Sequence, residues 1–210
     1  HGDIRIKQVT FSYPEQPRPA LENVNITINS GEKVAIIGRI GSGKSTLAKL
    51  LIRLYEPTSG SVLMDGFDIN QLDPADLRHN VAYVAQDAKL YFGTLRDNIT
   101  FGLNGITDQQ VVDAAEQAGI LELVNSHPLG FEMPVGERGE TLSGGQRSAI
   151  AMARVFLRKP RVLVMDEPTS AMDQGTEERL TQQIKTRFSD STLLIITHKM
   201  SMLTLVDRLI

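Results

Sequence analysis

The chain has 210 residues, 41% of them hydrophobic and 22% charged, with a net charge of −3 and no cysteine. Disulfides, thiolate metal sites and a cysteine nucleophile are thereby excluded, and the charge gives no general attraction to nucleic acid. No apolar run approaches the roughly 18 residues that span a bilayer. The opening HGDIRIK lacks the pattern of a signal peptide. The closing VDRLI has no cap or tail, so a fragment of something longer is expected.

In chain order, Ile4, Ile6 and Val9 and then Val24, Ile26 and Ile28 alternate as strands do, with the proline-rich YPEQPRP between them. VAII over 34–37 reads as a buried strand. A helix is predicted over 45–55, with Leu47, Leu50, Leu51 and Leu54 inward and EPTSG as its stop. SVLMDG reads as a short strand, DPADLRHN as a capped short helix, and VAYVAQ over 81–86 as another buried strand.

Composition then changes. Residues 87–159 carry helical periodicity and loops but no convincing strand. TDQQVVDAAEQAG reads as a helix opened by Thr107 or Asp108 and stopped at Gly119, and a longer helix runs from Ser143 to about Arg158. After Pro160 the α/β rhythm resumes with strand RVLVMD, a helix over 175–187, strand TLLIIT, and a final short helix and strand. The expected architecture is α/β: a parallel-sheet core, an N-terminal antiparallel β subdomain and an inserted helical subdomain. The predicted organisation is one domain over 1–210, with core 1–86 and 160–210 and helical part 87–159.

GRIGSGKST stands between the strand at 34–37 and the helix that follows. Strand, then G-x-x-x-x-G-K-[ST], then helix is the phosphate-binding P-loop. A triphosphate needs several N–H donors close together, and glycine lets the backbone curl that tightly, here at Gly38, Gly41 and Gly43 with Ser42 among them. The helix N-terminus adds partial positive charge. Lys44 adds a full charge for the β- and γ-phosphates, the Ser45 hydroxyl can ligate Mg²⁺, and Thr46 supplies a hydroxyl toward the α-phosphate.

In RVLVMDEPTS, a buried strand delivers Asp166 at its C-terminal end, where open α/β sheets bind ligands. Asp166 can hold Mg²⁺, usually through water. Glu167, one residue on, can orient and deprotonate an attacking water, a role worth roughly 10²–10⁴-fold in rate. LSGGQ, with Ser143 followed by Gly144, Gly145 and Gln146, places two glycines in the first turn of a helix, where helix design would avoid them. A second anion site, built from exposed N–H groups, a hydroxyl and a helix dipole, would account for that choice.

LSGGQ placed 23 residues before the strand-end aspartate (143 to 166) resembles the signature of ATP-binding cassette (ABC) ATPases, and the resemblance covers essentially the whole chain. It implies ATP and Mg²⁺ as ligands. Tyr13 matches the aromatic that stacks on adenine. Gln86 matches the Q-loop glutamine that senses Mg²⁺ and the membrane partner. SAMD, ending at Asp173, matches the D-loop, and His198 in ITHK matches the switch histidine near the γ-phosphate. The resemblance also implies an ATP-dependent homodimer in which each ATP lies between one P-loop and the LSGGQ of a second copy. That trans arrangement is not forced by the sequence, since a helix running back could bring Ser143 near its own Asp166.

Gly136, Glu137, Arg138 and Gly139, just before the signature, resemble the segment by which exporter cassettes touch the coupling loops of their transmembrane domain. LYFGTLRDNITFG looks like exporter sequence as well. Within exporters, GRIGSGKST, PLGFEMPVGERGETLSGGQR and DEPTSAMD resemble the bacterial type I secretion transporters, with Met172 suiting that subgroup. This implies a protein substrate, an indirect link to a periplasmic adaptor and an outer-membrane channel, and a place at the cytoplasmic face of the bacterial inner membrane. Other readings are a lipid or drug exporter cassette, the ATPase head of a DNA-repair or chromosome-structuring protein, and a regulatory module without turnover. The second lacks its long coiled coil here, and its charge is wrong for a DNA clamp. Against the third stand Glu167 and His198, both present.

Overall fold

In the first strand, β1 (Ile4–Phe11), Ile4, Ile6, Val9 and Phe11 all point into the core, the register shifting between Ile6 and Val9 where Gln8 adopts φ 48°. A computed structural model describes residues 1–210. In chain order there follow β2 (Leu21–Ile28), β3 (Lys33–Ile36), α1 (Lys44–Leu51), β4 (Ser59–Met64), β5 (Phe67–Asp68), α2 (Pro74–Asn80) and β6 (Val81–Val84). Next come α3 (Leu95–Thr100), α4 (Asp108–Gln117), α5 (Leu121–Ser126), α6 (Gly144–Arg158), β7 (Val162–Asp166), α7 (Gln174–Arg187), β8 (Thr192–Ile196), α8 (Met200–Leu203) and β9 (Arg208–Leu209). Two compact units result. The first comprises His1–Tyr83, Pro160–Asp166 and Asp190–Ile210; the second comprises Val84–Lys159 and Glu167–Ser189.

The first unit holds two sheets. The antiparallel one has the order β2-β1-β4-β5, with Ile4 opposite both Ile28 and Met64. The other runs β6-β7-β8-β3-β9, with parallel pairing of β7 to β8, β8 to β3 and β3 to β9. Every residue of β7 and β8 is buried, as a parallel sheet covered on both faces requires. One apolar cluster unites Ile4, Ile28, Leu47, Leu50, Leu51, Val164 and Leu194, so α1 packs in the same core as residues of both sheets.

The predicted helix over 45–55 is shorter than expected. It ends at Leu51, and Leu54, expected inward, is 59% exposed. Arg53 adopts φ 53°, Arg53 N donates to Leu50 O at 3.0 Å, and Leu54 N donates to Lys49 O at 2.9 Å. This pair of bonds is a Schellman stop, here with arginine in the left-handed position glycine usually takes. The strand predicted over 81–86 likewise stops at Val84.

The second unit is helical. Helix α6 packs on α3 and α4 and buries Ile150, Met152, Ala153 and Phe156, whose ring stacks on Phe188 at 5.7 Å. Thr107 opens α4 with a capping box to Gln110, and Gly119 follows the helix at φ 75°. Buried Asn98 ties α3 to the strand-less segment before it: its Oδ1 accepts from Tyr91 N at 2.8 Å and its Nδ2 donates to Tyr91 O at 2.9 Å.

Candidate functional site

Register sets the site. Ile36, the last residue of β3, lies opposite Ile196 of β8, and Ile196 lies opposite Asp166 of β7. All three strands are parallel, so the phosphate loop, Asp166 and the segment with His198 lie at the same, C-terminal end of the sheet. His198 is exposed two residues beyond Ile196.

The loop from Gly38 to Gly43 joins β3 to α1. Gly43 has φ 90°, and a Cβ there would collide with the carbonyl of Ala20 and approach Leu21 Cδ2 to 2.8 Å. Glycine is therefore required by both conformation and space. No side chain caps α1 at Gly43, which leaves its first N–H groups for a ligand or solvent. Lys44 Nζ donates to the carbonyls of Gly38 and Arg39, each at 2.8 Å, and so lies across the mouth of the loop. Ile40 is 97% exposed at its tip.

Tyr13, Gly41, Gly43, Lys44, Ser45 and Thr46 line one open pocket of about 480 Å³. Tyr13 is half-buried and edge-on to Phe11 and Tyr55, with ring centroids 4.9 and 5.3 Å away. Its hydroxyl shares a hydrogen bond of 3.0 Å with Thr46 Oγ1, a link between the aromatic and the phosphate loop that spacing alone did not disclose.

Asp166 is buried. Its Oδ2 accepts a hydrogen bond of 3.4 Å from the Tyr83 hydroxyl, while Oδ1 is buried without a partner. A buried carboxylate oxygen with nothing to bond is costly, and a hydrated divalent cation is the kind of group that relieves it. The residues present therefore fit Mg²⁺, with the Ser45 hydroxyl on the same pocket wall as Lys44. Burial, and then the negative charge of Asp166, push the Tyr83 phenol well above its ordinary value, so it remains a donor. Tyr83 was missed at the level of sequence: an aromatic inside an apolar strand gives no sign that it faces a carboxylate.

Glu167 has φ 47°, a left-handed conformation that costs a non-glycine residue about 1–2 kcal/mol. It starts the turn in which Ser170 N donates to Glu167 O at 3.2 Å. Gln86 is exposed, two residues past the end of β6.

Within the second unit, the signature and the SAMD segment come together. Ser143 Oγ accepts from Gln146 N at 3.1 Å and Gln146 Oε1 accepts from Ser143 N at 2.8 Å, a capping box for α6. The serine hydroxyl proton is left to donate elsewhere. A Cβ on Gly145 would lie 2.7 Å from Ala171 O, and one on Gly144 would lie 3.0 Å from the Ala171 Cβ. The two glycines thus have a packing reason that the anion-site reading did not foresee. Asp173 caps α7, accepting from Thr176 N at 2.9 Å and from Thr176 Oγ1 at 2.7 Å. These bonds, the side-chain one first, hold its carboxyl below the ordinary value. Ser143, Gly145, Gln146 and Asp173 line an open pocket of about 420 Å³.

The segment at 136–139 lies beside the chain that follows Gln86. A Cβ on Gly139 would sit 3.0 Å from both Leu90 Cδ1 and Arg147 Cδ, and Arg147 Nη2 is 3.7 Å from Asp87 Oδ1. Exposed aromatics continue this surface: Tyr91 stacks on Phe101 at 4.0 Å, with the Arg154 guanidinium 5.6 Å from both rings, and Phe92 is 88% exposed.

A family model described as ABC transporter matches residues 21–170. The ABC-type transporter fsqE of Aspergillus fumigatus is 42% identical over 201 residues, covering 94% of this chain and 16% of that protein. A multidrug export ATP-binding/permease protein of Staphylococcus aureus is 39% identical over 209 residues, covering all of this chain and 36% of its own length. The structure of a bacterial Atm1-family ABC exporter with ATP bound superposes with a TM-score of 0.91 at 35% identity, over 96% of this chain and 35% of that one. The chain thus spans about a third or less of these relatives. No helix is long and apolar enough to cross a membrane.

Proposed function

Because the chain belongs to the ABC transporter family, we propose that it is the ATP-binding and ATP-hydrolysing motor domain of an ABC exporter. One observation carries the reading: the phosphate loop, Asp166 and His198 lie at the same C-terminal end of the parallel sheet, with an unpartnered Asp166 oxygen beside them.

In this reading Tyr13 stacks on the adenine, and Gly38, Gly41, Ser42, Gly43, Lys44 and Thr46 hold the phosphates. Ser45, Gln86 and Asp166 hold Mg²⁺, which when bound offsets charge on the β- and γ-phosphates. Glu167 takes the proton of the attacking water, and His198 donates toward the γ-phosphate. Ser143, Gly144, Gly145, Gln146 and Asp173 face the nucleotide of a second copy in an ATP-dependent homodimer. The transmembrane domain docks on the surface where Leu90 meets Gly139, beside exposed Tyr91 and Phe92. The chain then works at the cytoplasmic face of a membrane.

The multidrug export relative favours an exporter of drug-like cargo. Type I protein secretion, with its adaptor and outer-membrane channel, is the narrower reading and rests on the resemblance of PLGFEMPVGERGETLSGGQR and DEPTSAMD alone. Stimulation of ATPase activity in the whole transporter by amphipathic drugs, or instead by a secretion-signal peptide, separates the two.

The motor itself is tested with Glu167→Gln. Size-exclusion chromatography with Mg-ATP should trap a dimer, while turnover falls at least 10²-fold, the lower end for a lost base. A monomer with undiminished turnover would place the base elsewhere and remove the support for a trans site.

A further inference from the structure

Arg18 lines the same pocket as Lys44, Ser45 and Thr46, yet no motif includes it. It stands in Gln16-Pro17-Arg18-Pro19-Ala20, with a proline on each side. Proline fixes its own φ, and Pro19 keeps Arg18 out of the helical region, so the backbone that presents this arginine has little freedom. Both ends of the segment are tied. Gln16 N donates to Tyr13 O at 3.2 Å, and Ala20 N donates to Phe11 O at 2.8 Å. Beyond Arg18 the segment touches the phosphate loop itself: the space a Gly43 side chain would need is taken by Ala20 and Leu21.

The arginine is exposed and makes no hydrogen bond or ion pair inside the chain. Lys44, by contrast, is occupied with the carbonyls of Gly38 and Arg39. A free guanidinium on a stiff, anchored loop, at the wall of a pocket whose floor is a phosphate cradle, suits an anionic ligand. Guanidinium has only donors, and their fork matches phosphate oxygens. Holding the backbone in place beforehand lowers the ordering penalty on binding.

We propose that Arg18 is a nucleotide-binding residue whose guanidinium contacts the phosphate chain of the nucleotide held by the Lys44 loop. This rests on the pocket being the ATP site. It adds a second cation to that site and would make affinity depend on salt more steeply than Lys44 alone does.

Affinities of the 210-residue chain for Mg-ATP, Mg-ADP and adenosine, measured by competition against a fluorescent nucleotide, test it. Arg18→Ala should weaken ATP and ADP about five- to twentyfold, the low end for charge-assisted bonds because the group is exposed. Adenosine affinity should change less than about twofold, since the lost bond is to phosphate. Arg18→Lys should recover part of the loss, and circular dichroism and the melting temperature should be unchanged. ATP affinity unchanged in Arg18→Ala, or adenosine weakened as much as ATP, overturns the assignment while leaving the site intact. Wild-type binding that Lys44→Ala does not reduce overturns the site reading and this proposal with it.

Discussion

The Tyr83 hydroxyl donates to Oδ2 of Asp166 at 3.4 Å, and the other oxygen of that carboxylate is buried with no hydrogen bond. The two residues stand on strands that end in the same sheet, 83 positions apart in the chain. One oxygen is oriented by the phenol, and the second is the one we propose for Mg²⁺. Removing the phenol oxygen with Tyr83→Phe should therefore raise the Mg²⁺ concentration needed for half-maximal nucleotide binding about three- to tenfold, since a bond of this length is worth less than a short charged one. Nucleotide affinity in EDTA should be unchanged. A Mg²⁺ titration followed by fluorescence measures both, and equal losses with and without Mg²⁺ would mean that Tyr83 serves only packing.

The signature glycines make a second prediction, separable from nucleotide binding. Gly145→Ala should destabilise the chain by about 1–3 kcal/mol, because its Cβ meets the Ala171 carbonyl at 2.7 Å and the backbone must shift. Ser143→Ala removes a helix cap and should cost about 1 kcal/mol. Gly175→Ala, whose Cβ finds nothing nearer than Asp173 Oδ1 at 3.4 Å, should be neutral or stabilising by up to about 1 kcal/mol. Urea unfolding of the three variants checks the order.

Acid sensitivity is expected at the start of α3. Thr94 N donates to Asp97 Oδ2 at 2.9 Å and Asp97 N donates to Thr94 Oγ1 at 3.0 Å. The backbone N–H of Thr94 first, and then its side chain, hold the Asp97 carboxyl below its ordinary 3.8. A carboxyl lowered on folding stabilises fully above its unfolded value and loses that contribution as pH falls through the folded one. Asp97→Asn should therefore be less stable than wild type at neutral pH, with the gap closing below about pH 4 as the wild-type carboxyl is protonated. Carbon-detected NMR titration of Asp97 should give a value under 3.8.

What the sequence determined by itself was local chemistry. GRIGSGKST specifies a curled, N–H-rich loop because glycine placement and the following helix act over fewer than ten residues, and Gly43 behaves as that reading requires. Buried strands such as RVLVMD were legible because continuous apolar runs bounded by turns have few other uses. The α/β class followed from the order of such elements. The helix end at Leu51 was missed, since the Leu47-to-Leu54 pattern carries on through a stop that arginine, not glycine, makes. Tertiary structure alone decided that Tyr83 faces Asp166, that Tyr13 bonds Thr46, that Ala171 excludes a side chain at Gly145, and that Arg18 lines the same pocket as Lys44. Each is a contact between separate segments, and no periodicity encodes which segments the sheet order will bring side by side.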